Sequence, residues 1–503
     1  MKHLHLIPAA VLALFAPATT HAAAKPNLIF INIDDLGYAD IGPFGSKLNR
    51  TPNLDRMAKE GRKLTSFYAA PVCSPSRAAL MTGCYPKRGL PIPHVLFPTS
   101  AVGLNPAERT VAEVLKDAGY TTACIGKWHL GDQLEFLPTN QGFDYSLGIP
   151  YSNDMGISSE GSKSDLGVPL PKPAAPLKAG NQRGDEAGLK GNSQPPLPLV
   201  ENTVVVGRVK QDEQQGIVET YTNAAVKFIR DHRDQPFFLY LPHSAVHFPI
   251  YPGKKWAGKS PNGIYSDWVE EVDWSVGQVL DTLRELKLDS NTLVIFTSDN
   301  GGTQRAVNTP LRGYKASTWE GGIRVPTIAW WPGKIPPATS TDAITGMFDI
   351  LPTFARLGGG TLPQDRKLDG MDIWPLLAGE PDAKGHEDFF YFRGLKLEAV
   401  RSGPWKLKLA GTPAPAGKKN APSAGPQLYH LESDIGESKN VAAANHAVVK
   451  RLQQLAETMA NDLGTDGEGP GVRPLGRVKN PQPFIALDGT VRENAVGTKK
   501  RFE

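Results

Sequence analysis

Four short runs of this 503-residue chain are apolar without alternation, and each is followed at once by side chains capable of chemistry. Asn27 to Ile33 leads into Asp34 and Asp35, Tyr120 to Ile125 into Lys127 and His129, Pro236 to Leu241 into His243 and His247, and Thr292 to Thr297 into Asp299 and Asn300. A strand that is apolar at every position is buried on both faces, the condition of a strand inside a parallel sheet covered by helices. Helical patterns between the runs, at Pro52 to Gly61, Glu108 to Ala118, Val218 to Arg230 and Tyr265 to Leu286, supply that cover. Thr51 is placed to cap the first helix, with Pro52 in its opening turn, and Gly119 to close the second. The expected fold class is α/β, with a large, mostly parallel central sheet flanked by helices. Open parallel sheets bind ligands beyond the carboxyl ends of their strands, so these polar residues should converge on one site.

The rest of the chain divides around that sheet. Residues 1–24 combine Lys2, an apolar stretch from Leu4 to Phe15 and the small residues Ala22 to Ala24, the pattern of a cleaved secretory signal. The apolar part is too short to span a membrane, and no later run is long enough. The mature protein is thus expected to be periplasmic or secreted, with its main domain over residues 25–380. Within it, Gly161 to Val200 turns rich in Pro, Gly, Lys and Ser without periodicity and reads as a surface insertion. Beyond residue 380, strand-like Phe389 to Arg393, Glu398 to Arg401 and Trp405 to Leu409 precede a helix from His446 to Leu463. This predicts a smaller antiparallel sheet plus helix over 381–503, with a tail beyond Asp466 wrapped on the surface.

Charge and cysteine content narrow the partners. The 55 basic and 51 acidic residues are spread along the chain without a dense basic run, which argues against nucleic acid. Only Cys73, Cys84 and Cys124 are present. An odd count in an oxidising compartment leaves one thiol over unless one cysteine is consumed by other chemistry. Spacing leaves open whether Cys84 and Cys124 pair or remain two buried thiols.

The metal-binding potential is all oxygen. Asp34, Asp35, Asp299 and Asn300 suit a hard divalent cation, and no paired-cysteine or H-E-x-x-H pattern points to zinc. Several protein ligands crowding one ion favour calcium over magnesium. The glycines of Asp299-Asn300-Gly301-Gly302 are expected to allow a tight turn.

The most specific segment is Cys73-Ser74-Pro75-Ser76-Arg77, followed by A-A-L-M-T-G. It resembles the formylglycine-dependent sulfatases of the alkaline phosphatase superfamily. The likeness extends to N-I-D-D-L-G at Asn32, G-K-W-H-L-G at Gly126, S-D-N-G-G at Ser298 and the stretch from Leu311 to Pro326. Leu147 to Gly156 looks like the branch containing arylsulfatase A and the galactosamine sulfatases. The resemblance implies an alkaline phosphatase-like fold and oxidation of Cys73 to formylglycine by a maturation enzyme. It implies one calcium ion per chain, held by Asp34, Asp35, Asp299, Asn300 and the modified Cys73. Arg77 would then lie beside the nucleophile, Lys127 and Lys315 would grip the sulfate, and Ser152 would add a hydrogen bond. His129 would act as base and His247, in preference to His243, as acid toward the leaving alcohol. Cys84 stands where many members have Arg, and the Gly161 to Val200 insertion has no counterpart from which specificity transfers.

The same roles make physical sense. Transferring an electron-rich sulfuryl group needs positive charge around its oxygens, and histidine titrates in the range that acid and base steps need. In an extended segment His129 and Lys127, two residues apart, would face one side. The expected substrates are sulfated glycans and small aryl sulfates. Two rivals are a phosphomonoester or phosphonate ester hydrolase of the same superfamily, opposed by Cys73 in place of Ser or Thr, and an inactive secreted glycan-binding homologue.

Overall fold

A computed structural model of the protein describes residues 25–172, 186–411 and 425–496. The proposed signal segment, the middle of the 161–200 stretch and the extreme carboxyl end lie outside these residues.

An eleven-stranded sheet forms the centre. In spatial order its strands are Thr339–Thr341, Arg62–Tyr68, Arg324–Trp330, Thr292–Ser298, Asn27–Ile33, Phe237–Pro242, Thr121–Ile125, Tyr145–Gly148, Pro198–Glu201 and Val204–Arg208; Thr345–Gly346 also pairs with Arg62–Tyr68. From Thr292–Ser298 to Tyr145–Gly148 all neighbours are parallel, as the apolar runs require. Arg324–Trp330 is antiparallel to both its neighbours, and Pro198–Glu201 is antiparallel to both of its own.

The unbroken burial of Asn27–Ile33 feeds two cores at once. Leu28 and Phe30 pack on one face with Leu80, Leu115 and Leu351, while Ile29, Ile31 and Ile33 pack on the other with Leu54, Val218 and Val272. Each such side chain contributes about 1.5–3 kcal/mol through burial, so the central strands are held from both sides. Their carboxyl ends are correspondingly rigid platforms.

The predicted helices appear as Pro52–Glu60, Val111–Asp117, Ile217–Asp231 and Ile264–Glu285. The second starts three residues later than expected, because Thr110 and Glu113 form a reciprocal capping box there. Thr51 does not cap with its side chain; its Oγ1 accepts the Gly42 N–H at 2.8 Å instead. The 161–200 stretch is less superficial than its composition suggests. Ser162, Leu189 and Leu197 are buried, and its end is the sheet strand Pro198–Glu201, with proline at the first position where a missing donor is tolerated. Cys84 and Cys124 are separate buried free thiols. Among the described residues no helix is long and apolar enough to cross a membrane.

The smaller antiparallel sheet comprises Asp388–Arg393, Lys396–Ser402, Trp405–Lys408 and Gln427–His430, the last not foreseen. Helix His446–Leu463 packs Leu452 onto Leu407 and Leu428. The tail buries Phe484 and Ala495 against Leu137 and Val200. This sheet is docked firmly on the main one: Phe389 stacks on Tyr68 with ring centroids 4.4 Å apart. Beside that contact, the buried Lys406 ammonium lies 2.8 Å from Glu320 and 2.9 Å from Glu437.

Candidate active site

The two acidic strand ends are stitched together. Asp34 donates its N–H to the Ala245 carbonyl and accepts the Val246 N–H, both at 2.8 Å, which ties the central strand to its neighbour beyond the sheet. Asp35 then turns with φ of 65°, a left-handed conformation that Asp adopts more readily than most residues. The Ser298 hydroxyl accepts the Leu36 N–H at 3.0 Å and donates to the Asn300 carbonyl at 2.8 Å. The glycines after Asn300 serve close approach rather than the expected turn. A methyl group at Gly301 would lie 2.0 Å from the Gly321 carbonyl oxygen.

Cys73 is the first residue of helix Cys73–Thr82, which is buried along its whole length. Its Sγ lies 3.4 Å from Asp34 Oδ1 and 3.5 Å from Lys315 Nζ. Lys315 also sits 2.6 Å from Asp35 Oδ1. Its backbone N–H is bonded to Gly302, and the next residue, Ala316, bonds to Pro71, so one loop touches both the Asp299 turn and the approach to Cys73.

Lys127 pairs with Asp34 Oδ2 and donates to Ser152 Oγ at 3.1 Å. Ser152 in turn lies 3.3 Å from a ring nitrogen of His247, whose Nε2 is 3.7 Å from Asp35 Oδ2. His243 is elsewhere: its Nε2 meets Ser275 at 3.0 Å beneath the helices. Arg77 directs its guanidinium at Asp299 Oδ2, 2.8 and 3.0 Å away, and at the Lys127 carbonyl, with Asp34 Oδ2 at 3.6 Å. It bears on Cys73 through space, by charge.

His129 departs from the extended geometry expected of it, with φ of 62°. Its Nε2 lies 2.9 Å from the Leu96 carbonyl, which fixes the ring proton there and leaves Nδ1 buried without a partner. Burial first, and then Lys127 and Arg77, hold its pKa well below the usual value, so the ring is neutral.

Asp34, Arg77 and Lys127 are wholly buried, whereas the Lys315 and His247 side chains retain 17% and 11% exposure, so the site opens on their side. Burial alone would raise the Asp34 pKa, but Lys127, His247, Arg77 and Lys315 outweigh it and hold the carboxyl far below the usual range. Burial, then Asp299 and Asp34, push the Cys73 thiol up.

Asp34, Asp35, Cys73 and His247 bring potential ligand atoms within 4.8 Å of one another, a grouping able to hold a metal. Asn300 adds a second sign: its Nδ2 donates to Asp35 Oδ1 at 2.7 Å while its Oδ1 is buried with nothing to accept. A buried amide oxygen of this kind beside carboxylates is suited to a hard cation. The sequence reading singled out neither Ser298 nor Asn153, whose Nδ2 lies 3.4 Å from the His247 carbonyl and 3.3 Å from that of Pro249. A short polar side chain at the last position of a strand, as at Ser298, or in a loop, as at Asn153, carries no periodic signal.

The sulfatase family model matches residues 26–360, and the model for the C-terminal region of aryl-sulfatase matches 384–468. The chain belongs to the sulfatase family. Steryl-sulfatase of Homo sapiens is 38% identical over 79% of this chain and 77% of its own. Arylsulfatase A of Homo sapiens is 37% identical over 86% and 87%. The crystal structure of Ps i-CgsB in complex with k-i-k-neocarrahexaose matches with a TM-score of 0.70 and 30% identity over 87% of this chain and 93% of that one. This sulfatase is accordingly a sulfuric ester hydrolase acting on sulfate esters, with the alkaline phosphatase-like fold of its structural neighbours.

Proposed function

We propose that this sulfatase hydrolyses sulfate monoesters of glycans, and small aryl sulfates as surrogates, using Cys73 after oxidation to formylglycine and one calcium ion. The observation that carries the reading is the placement of Cys73 Sγ between Asp34 and Lys315 at a helix amino-terminus, in a buried site open on the Lys315 and His247 side. The aldehyde hydrate would supply a nucleophile whose second hydroxyl allows sulfate to be expelled. The cation would supply Lewis-acid stabilisation, and Asp34, Asp35, Asp299 and Asn300, together with position 73, would hold it.

The chain's own residues divide the remaining work. The carboxylates of Asp34, Asp35 and Asp299 are matched in charge by Arg77, Lys127 and Lys315, so a divalent ion tips the site positive, as an anionic sulfate requires. Lys127, beside Asp34 and Ser152, and Lys315, beside Asp35 and Cys73, bind sulfate oxygens, with Ser152 adding a hydrogen bond. His129 Nδ1, its tautomer set by Leu96, accepts a proton. His247, on the open side, donates one to the departing alcohol. Arg77 holds Asp299 and the Lys127 backbone in register while adding positive charge near position 73.

Mass spectrometry of the tryptic peptide containing Cys73, from protein made in its native host, tests this directly. An aldehyde at position 73 together with turnover of 4-nitrophenyl sulfate is the expected result; a free thiol in protein that still turns over would sink the formylglycine step. Export to the periplasm or beyond is part of the proposal and rests on residues 1–24. Amino-terminal sequencing should find the mature chain starting near Ala23 or Lys25.

A further inference from the structure

Outside the catalytic site, a cavity of about 390 Å³ opens between the start of helix Ile217–Asp231, helix Ile264–Glu285 and the loop from Gly253 to Trp256. None of its lining residues belongs to the catalytic constellation. The cavity is nevertheless within an oligosaccharide's reach of that site, because Gly253 follows His247 by six residues, a span of at most about 20 Å of extended chain. Asn153, beside Ser152, bonds Gln214 at 3.3 Å next to the cavity wall at Gln215.

The lining has three chemical parts. Trp256 and Trp274 are half-buried, with ring centroids 6.3 Å apart and planes inclined at 45°, an open wedge rather than a closed stack. Lys255 pairs with Glu219 at 2.8 Å and Lys254 with Asp212 at 3.4 Å, so the rim charges cancel among themselves. Glu271 lies buried at the wall, its Oε2 accepting the Gly253 N–H at 2.7 Å. Burial, opposed by the Gly253 hydrogen bond and reinforced by Glu219, raises its pKa to about 8, which favours the protonated form, able to donate as well as accept. Indole faces, rim charges paired with one another and a buried carboxyl group at the wall suit a flat-sided, uncharged, hydroxyl-rich ligand. Apolar C–H faces of a pyranose pack on indole while its hydroxyls reach the polar groups.

We infer that this cavity is a saccharide-binding site that holds an uncharged sugar unit of a glycan chain while a sulfated unit occupies the catalytic pocket. The inference rests on the proposal that the substrate is a glycan.

The test titrates the full-length protein with desulfated chondroitin hexasaccharide, desulfated carrageenan hexasaccharide, cellohexaose and tetramethylammonium, following tryptophan fluorescence and binding heat. At least one saccharide should bind, and Trp256→Ala and Trp274→Ala should each weaken it by about tenfold, the scale of one lost aromatic contact. Turnover of 4-nitrophenyl sulfate, which has no sugar unit to place in the cavity, should stay unchanged in both variants. Glu271→Gln, which keeps a donor and acceptor in place, covers the case of a tryptophan variant that does not fold and should weaken binding less. Failure of all three saccharides to bind, binding indifferent to these substitutions, or binding of tetramethylammonium alone would overturn the inference. Saccharide binding without any aryl sulfate turnover in the parent protein would instead count against the catalytic reading and leave this site standing.

Discussion

Lys406 Nζ lies 2.8 Å from Glu320 Oε1 although 86 positions separate them in the chain. The contact is the centre of a clamp. Lys406 also donates to the Thr318 carbonyl at 2.9 Å, Lys408 to Thr318 Oγ1 at 2.9 Å, and Glu437 accepts the Glu320 N–H at 2.8 Å. Arg312 stacks on Trp319 at 3.8 Å and bonds the Glu437 carbonyl at 2.6 Å. The segment so gripped, 312–320, is the one that carries Lys315.

Removing the ammonium should therefore be felt at the catalytic pocket. Lys406→Met takes the ammonium from the buried Glu437 and leaves Glu320 with its longer ion pair to Arg324 at 3.4 Å; breaking a buried pair in this way typically costs about 3–5 kcal/mol. Denaturant melts should show the loss, and folded variant should show a raised KM and lowered kcat for 4-nitrophenyl sulfate as Lys315 loses its anchor. Unchanged kinetics in a destabilised protein would reduce the clamp to a purely structural contact.

Cys73→Ser should abolish turnover without harming the fold. The residue is small, and its neighbours Asp34 and Lys315 can hydrogen-bond a hydroxyl as well as a thiol. Loss of activity by at least about a thousandfold is expected, the scale on which a nucleophile is missed. The thermal midpoint should stay close to that of the parent, as calorimetry would show.

Chelation should inactivate the enzyme, and calcium should restore it better than magnesium. Binding to the native state alone stabilises by about 2.7 kcal/mol at one hundred times the dissociation constant, so added calcium should also raise the melting temperature. Asn300→Leu removes the unpartnered buried oxygen and should lower calcium content measured by mass spectrometry of the metal. Full activity after exhaustive chelation would refute the metal assignment.

Away from the site, His386 offers a stability signal with a definite sign. Burial would lower its pKa, but the Asp349 carboxylate 2.6 Å away outweighs this and raises it above the ordinary value. The folded state thus holds the proton more tightly than the unfolded chain, in which histidine titrates near about 6.5. The contribution is full below that pH and is lost as pH climbs through the raised folded value. The stability gap between the parent and His386→Gln, measured by urea unfolding, should be widest in mild acid and shrink toward pH 9.

What the sequence disclosed follows from what burial writes into it. The central strands and the helix His446–Leu463 were legible because burial on both faces, or on one helical stripe, leaves a repeating pattern. Arg62–Tyr68 was not read as a strand, since its Arg, Lys, Thr and Ser give mixed burial near a sheet edge. Strand ends pointed to Asp34, Lys127, His247 and Asp299 because a parallel sheet gathers its carboxyl ends. The left-handed turn at His129 left no mark, because it is set by backbone bonds to another strand end. Nor did the clamp: Trp405 to Leu409 reads only as a strand, and it is the packing of Lys406 against Glu320 and of Lys408 against Thr318 that buries both lysines.

That clamp orders events during synthesis. The strands of the large sheet are all synthesised by Gly346, yet the loop bearing Lys315 waits for partners at 398–437 that emerge later. A nascent or truncated chain ending before them contains every site residue named here but lacks the scaffold that fixes one of its lysines. Competence thus arrives last, from the carboxyl side, for a pocket whose first ligands were translated near the beginning.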